Sequence, residues 1–292
     1  MQKYNKIVNF AHKSAYRIHM KKILATTLSL ILLHLTLNAQ DMKVISYNIR
    51  YEEAKDGTNS WVYRFAASGE MIQEQMPDLF GLQEATYNQV HFFEQNFDCY
   101  KYLGGGREDG KKGGEYTALF WNKKTISQLD GGMFWLSETP ETASMGWDAQ
   151  CLRTATWGLF KHKKTGKKFY CVNTHLDHVG KEARKNGLKL IMDKIAEMNK
   201  AGLPVVLMGD FNMKPGDHNL VDLEAAMCNA RRSADKTDNH ATFNNWGKSS
   251  DILDYIYYTG FSACPEFQTI TKKYADRKFI SDHYPVMVLL SF

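Results

Sequence analysis

Proline is scarce in this chain, six in 292 residues, and nowhere gathers into a linker. Internal repeats and low-complexity blocks are absent as well. These absences exclude a string of tethered modules, a solenoid and a largely disordered protein. Cysteine is limited to Cys99, Cys151, Cys171, Cys228 and Cys264, no two in CxxC spacing. A zinc ribbon or thioredoxin-type site therefore lacks its ligands, and the odd count leaves at least one thiol unpaired. Cys171 lies in an apolar, strand-like run and reads as a small buried hydrophobe. Long hydrophobic runs are missing too. The mostly apolar stretch Ile23–Leu37 falls short of a ~30 Å hydrocarbon core at about 1.5 Å per residue, so no stable membrane span is expected.

Acidic residues are absent from positions 1–39, which hold Lys3, Lys6, Lys13, Arg17, Lys21 and Lys22. The net charge of +5 belongs largely to this segment, because the other 31 basic residues face 32 acids. A body so balanced has no global attraction for polyphosphate, although a local basic patch stays open. From Met20 the order is Met-Lys-Lys, the apolar run, then Asn38-Ala39-Gln40. That is the basic start, hydrophobic middle and small cleavage residue of a signal peptide. Residues 1–39 are expected to be a leader with Met20 as the true start, and residues 40–292 an exported, periplasmic or extracellular, monomeric domain. No cysteine follows the run, so the leader does not end in a lipid-acceptor site.

What is present is ordinary for a folded, core-burying protein: 43% apolar, 13% aromatic and 24% charged residues. Short runs rich in Val, Ile, Phe, Tyr and Leu predict strands at 44–51, 78–83, 117–122, 155–162, 168–175, 204–210, 253–259 and 284–292. Helices are predicted over 66–76, before Pro77, and over 182–199, before Gly202. The strands are spread to the last residue with no boundary between them, which predicts a single α/β domain. Gly105-x4-Gly110-Lys111 nearly matches a phosphate-binding loop, but it lacks the following Ser/Thr and leads into a strand rather than a helix. A surface loop is expected there. Trp61, Trp135 and Trp147 fall in loop-like stretches, whereas Trp157 is assigned to the core.

Polar residues stand where the apolar runs end. Asn48 interrupts the first strand, Glu84 follows the second, and His175 and Asp177 close another. Asp210 and Asn212 follow Val205–Gly209, Asp254 opens Tyr255–Tyr258, and Asp282-His283 precede the last strand. Each alone is a turn former or a solvated end. Together, on one rim of a sheet, they supply the carboxylates, amides and imidazoles of a hydrolase that uses a hard cation. Oxygen donors without a Cys or HExxH cluster favour magnesium, with manganese or calcium as alternatives, over zinc.

Ser-Tyr-Asn-Ile (46–49), Gly-Leu-Gln-Glu (81–84), Asn-Thr-His-Leu-Asp-His (173–178), Gly-Asp-Phe-Asn (209–212), Leu-Asp-Tyr-Ile (253–256) and Ser-Asp-His-Tyr-Pro-Val (281–286) occur in this order. The set resembles the endonuclease/exonuclease/phosphatase superfamily, in particular an exported bacterial branch. The resemblance implies a four-layer α-β-β-α sandwich of two mixed, mainly antiparallel sheets, and metal-dependent cleavage of phosphoesters. It implies Glu84 as the main metal carboxylate, with Asn48 and Asp282 beside the metal and phosphate. Asp210 and Asn212 would orient water and phosphate oxygens, and His283, held by Asp254, would be the imidazole on the base side. His175 would face the leaving group and Glu115 would orient it. Arg64, Arg153 and Arg184 are candidate substrate binders, Arg153 first among them.

The chemistry requires these types. A phosphoester anion repels hydroxide until a cation neutralises it, and a carboxylate-oriented imidazole titrates near neutrality. The near-neutral body favours a small phosphoester, such as a nucleotide, sugar phosphate or lipid head group. A secreted nuclease, with nucleic acid as partner, is the alternative. A non-catalytic phosphate- or glycan-binding module on the same scaffold is the second alternative.

Overall fold

The period of two along the central strands decides the architecture. In the computed structural model, which describes residues 41–52 and 54–292, β1 (Asp41–Asn48) sends Ile45 and Tyr47 to one face and Met42 and Val44 to the other. The leader reading concerns residues 1–39 and lies outside the described residues. Both faces of β1 are buried, so the strand has a layer on each side. On one face, α1 (Trp61–Gln75) and α2 (Tyr87–Asn96) supply Ala67, Met71, Ile72, Val90 and Phe93. On the other face a second sheet covers it, and Val44 and Leu79 share a core with Cys171, Val206 and Ile256.

The first sheet has the order β11-β12-β1-β2-β4-β3, with β2 Leu79–Gln83, β3 Tyr100–Leu103, β4 Leu119–Asn122, β11 Ala263–Thr269 and β12 Val286–Ser291. The second has the order β5-β6-β7-β8-β10-β9, with β5 Ile126–Trp135, β6 Thr154–His162, β7 Lys168–His175, β8 Val205–Asp210, β9 Cys228–Asn229 and β10 Asp254–Thr259. Its outer face buries Val172, Leu207 and Tyr257 against Leu188 and Ile191 of α3 (Lys181–Met198). Two short helices, α4 (Val221–Ala226) and α5 (Ala230–Ser233), follow β8. The result is the four-layer α/β sandwich of two mixed sheets. Each sheet has one parallel pair at its centre, β1 with β2 and β7 with β8, flanked by antiparallel neighbours.

Some local expectations change. Helix α1 starts at Trp61 rather than Ala66, because its first turns expose Val62, Tyr63 and Phe65 and so show no apolar stripe. Trp61 opens that helix and Trp135 closes β5, both buried, so neither lies in a loop. Trp157 is half-buried, packed against the outer core of the second sheet. The Gly-rich stretch is a turn laced by Gly106 N–H to Lys111 O, Glu108 N–H to Gly113 O and Gly110 N–H to Gly106 O. All five cysteines are free thiols, and Cys171 is fully buried. Among the described residues no helix is long and apolar enough to cross a membrane.

Candidate active site

The inner faces change character at one end. Ser46 and Asn48, Gln83, Asn173 and His175, Asp210, and Asp254 occupy inward positions whose strand-mates are Val44, Leu79, Cys171, Met208 and Ile256. All five strand segments are buried there, so every polar group needs a partner. Register supplies most of them, and leaves Gln83 Oε1 and Asp254 Oδ1 without one. His175 lies beside Asp210 across the parallel pair, and Asp254 lies opposite Asp210 on the other side. Between the sheets, Gln83 Nε2 donates to Asn173 Oδ1 at 2.7 Å and Asn48 Nδ2 to Asp210 Oδ2 at 3.0 Å; on the side of the first sheet the same Asn48 amide donates to Glu84 Oε1 at 3.1 Å. The carboxyl ends of both parallel pairs thus meet at one point.

Residues just beyond these ends turn sharply. Arg50 (φ 60°), Glu84 (φ 59°) and Asn212 (φ 49°) all have left-handed backbones, each at roughly 1–2 kcal/mol. Strain of this kind persists where the fold over-determines it to aim a side chain. Arg50 chelates Asp56 at 3.0 and 3.2 Å, with Glu84 at 3.8 Å and Asp282 at 3.7 Å from its guanidinium. Burial works against its charge, but Asp56, Asp282 and Glu84 outweigh that and raise its pKa.

His283 Nδ1 is 2.8 Å from Asp254 Oδ2, and its Nε2 is 3.7 Å from Asp210 Oδ2. Burial disfavours the imidazolium, yet Asp254, Asp210 and Asp282 together lift its pKa to about 10. Burial, then the charge of Asp254, lifts Asp210 to about 7. The acids on either side thus favour the charged imidazole, while burial and Asp254 favour the protonated carboxyl of Asp210. His175 is held neutral, well below its ordinary value, by burial and by Arg153 and Arg107. Its Nε2 accepts from Asn212 Nδ2 at 3.1 Å, and the same amide donates to Leu176 O at 2.9 Å.

The site opens into a cavity of about 980 Å³ lined by Glu84, Glu115, Arg153, His175, Asp210, Asn212, Asp282 and His283. Asn48 and Asp254, both buried, lie directly behind them. These ten residues, all expected from the sequence, converge, though not always as expected. Glu115 pairs with Arg107 at 2.8 Å and 2.9 Å rather than with His175. Arg64 lines no part of the cavity. It is fully buried and donates to the carbonyls of Asn59, Ile49, Ile280 and Arg50 at 2.6–3.1 Å. Arg184 donates to Asp177 O at 3.0 Å. Only Arg153 of the three reaches the cavity, seated on Asp177 (3.4 Å) and His178 Nδ1 (3.0 Å). Arg50 and Arg107 also line it and were not singled out from sequence. The available signal for Arg50 was its place two residues after Asn48.

The donor chemistry fits a hard divalent cation. Glu84 and Asp282 face one guanidinium, and burial together with the charge of Glu84 raises Asp282 while His283 pulls it back. One Arg50 does not offset the acids around it, and carboxylate oxygens are what magnesium, manganese or calcium take. Asn48 turns its amide nitrogen to the carboxylates and its oxygen to Arg50 N–H (3.1 Å), so it positions Glu84. In the Asp210–Asp254–His283 group, one ligand atom of each lies within 4.8 Å of the others, but the imidazole already fills the space between the two carboxylates.

Fold and site together define a phosphoester-hydrolase scaffold, with carboxylates, amides and imidazoles at the meeting point of two sheets. The chain belongs to the endonuclease/exonuclease/phosphatase family, whose sequence profile matches residues 45–283. A family protein of Bacteroides vulgatus is 35% identical, with a TM-score of 0.81 over 86% of this chain and 98% of that one. The mannosyl-6-phosphatase of Bacteroides thetaiotaomicron is 33% identical, with a TM-score of 0.82 over 86% of this chain and 100% of that one. The TDP2 of D. rerio, solved with a single-stranded DNA product, shares the fold at 18% identity and a TM-score of 0.70, over 87% and 100% of the chains.

Proposed function

We propose that this protein is an exported, divalent-cation-dependent phosphoesterase acting on a small phosphoester such as a sugar phosphate. The observation that carries the reading is the single cavity in which Arg50, Arg107 and Arg153 face Glu84, Asp282, Asp210 and His283. Three guanidiniums suit the oxygens of one phosphoryl group, and the mannosyl-6-phosphatase relative favours a sugar as the alcohol. Export rests on the signal-like residues 20–39.

A cation held by Glu84 and Asp282 would neutralise phosphoryl charge. Arg50, Arg107 and Arg153 bind and orient the phosphoryl oxygens. Asp210 accepts the proton of the attacking water, since a base near 7 is best matched to neutral pH. Asn48 and Asn212 hold that carboxylate: Asn48 donates to Oδ2 and the Asn212 N–H donates to Oδ1 at 2.9 Å. His283, kept charged by Asp254, gives a hydrogen bond to developing negative charge; the departing alkoxide takes its proton from bulk water, to which Asp210 returns the proton it accepted. Neutral His175 fixes the Asn212 amide.

The test is incubation with magnesium and a panel of DNA, RNA, nucleotides, sugar phosphates and phospholipids, with products identified by mass spectrometry. Small phosphoesters are expected to be cleaved, and Asp210→Asn and Glu84→Gln each to lower turnover by about 10³-fold or more. Cleavage confined to nucleic acid would move the assignment to a nuclease. Saturable binding of these compounds without turnover would move it to a binding module.

A further inference from the structure

Three consecutive residues, of which Asn245 and Trp246 line the cavity, have positive φ: Asn245 (φ 42°), Trp246 (φ 58°) and Gly247 (φ 89°). For a bulky residue such as Trp this is a conformation that needs a cause. The segment is fastened at its base. Asn244 is buried; it donates through Nδ2 to Ser281 O at 3.2 Å and accepts from Trp246 N–H at 2.9 Å. The N–H groups of Asn244 and Asn245 donate to Asp282 O at 2.8 and 3.0 Å. The indole segment is thereby tethered to Asp282, next to His283, at the end of the cavity proposed to hold the phosphoryl group.

The ring is not core filling, for Trp246 is half-buried and lines the cavity. One side of it lies over the guanidinium of Arg64, 5.5 Å from its centroid, and Arg64 is fully buried. Asn59, Asn245, Lys55 and Lys248 line the same cavity; Asn245 adjoins Trp246 in the chain, and Asn59 O accepts from Arg64 Nε beneath the indole. A flat apolar face edged by amide and ammonium groups matches a pyranose, which offers a C–H face for stacking and hydroxyls around its rim. A nucleobase also stacks on such a face, and a nucleotide is therefore included as a competitor in the test.

We propose that Trp246 is the shelf on which the sugar ring of a hexose phosphate stacks while its phosphate enters the cluster of Arg50, Asp282 and His283. The proposal deepens the phosphoesterase reading and rests on it for the place of the phosphate. The test is calorimetric titration of the full chain, freed of divalent metal so that nothing turns over, with inorganic phosphate, mannose 6-phosphate and adenosine 5′-monophosphate.

Mannose 6-phosphate is expected to bind about tenfold tighter than inorganic phosphate. Trp246→Leu should bring that ratio close to one, and Trp246→Phe, which keeps a ring, should retain most of it. A ratio near one in the unaltered chain overturns the shelf even if neither variant folds. So does a ratio that Trp246→Leu leaves intact, or a larger advantage for the nucleotide that this variant removes. Magnesium-supported turnover of mannose 6-phosphate is then measured on the unaltered chain. A tenfold ratio without turnover sinks the phosphoesterase reading and leaves the shelf standing. Turnover with a ratio near one does the reverse.

Discussion

Asp177 takes no part in the proposed chemistry, yet it seats one of the arginines that does. Its Oδ1 accepts from the N–H groups of Val179 (2.9 Å) and Gly180 (2.7 Å), and its Oδ2 from those of Gln150 (3.1 Å) and Cys151 (3.2 Å) and from Arg153 Nε. Burial disfavours the carboxylate, but the donated hydrogen bonds and Arg153 prevail and bring its pKa down to about 2. A folded pKa below the unfolded value means stability that is present above the unfolded pKa and lost as pH falls through the folded one. From the 3.8 of an unperturbed Asp to about 2, the contribution is about 2 kcal/mol at neutral pH and fades between about pH 4 and pH 2. Asp177→Ala should cost more at pH 7, about 3–5 kcal/mol, because Arg153 is left buried and unpaired. Urea midpoints at pH 7 and pH 3 check both, and equal stability at pH 7 would refute the account. At this scale the sequence was readable for side chains that end strands, such as Asp210 and Asp254. It was silent on Arg50 and Arg107, whose positions depend on a left-handed turn and on a pairing with Glu115. No residue pattern encodes either.

The elements divide along the same line. The eight strands expected from apolar runs are β1, β2, β4, β6, β7, β8, β10 and β12, the interior members of the two sheets. The four that were missed, β3, β5, β9 and β11, are the four edges. An edge strand has one unpaired side and commonly breaks its apolar run with charge, glycine, proline or a bulge. β5 carries Asp130-Gly131-Gly132 and a bulge between Gln128 and Asp130, and β11 carries Pro265 and a register shift between Ala263 and Glu266. Because the site sits on interior strands, it was legible where the sheet borders were not. The close approach of β7 and β8 that builds it depends on Gly209, at φ 152°, where a Cβ would lie 2.0 Å from Thr174 O. Gly209→Ala must therefore push apart the strands that hold His175 and Asp210, at an expected cost above about 3 kcal/mol. Gly202→Ala is the control: its φ is +63° but nothing lies within 4 Å, and only about 1 kcal/mol is expected. Equal urea midpoints for the two variants would show that backbone conformation alone, not strand approach, sets the cost.

The distribution of charge over the whole molecule argues for the size of the substrate. Six basic residues and no acid lie within residues 1–39, and the remainder is balanced to within one charge. A protein that follows a nucleic-acid backbone neutralises many phosphates at once, and with 6–10 contacts it loses about 10³–10⁵-fold in affinity between 50 and 200 mM salt. The three guanidiniums proposed to meet the phosphate are gathered in one cavity, and each is tied to an acid or an imidazole: Arg50 to Asp56, Arg107 to Glu115, Arg153 to Asp177 and His178. On the proposed function such a site takes up one phosphoryl group, and its pairs, at side-chain exposures of 27% or less, are screened far less than a surface patch. The expected result is that kcat/KM for a sugar phosphate falls less than about fivefold between 50 and 200 mM sodium chloride. A fall of 10³-fold or more would mean that the substrate engages a long basic track. The balanced body offers no global field for such a track, so that outcome would require a locally assembled groove and would turn the assignment toward a nuclease.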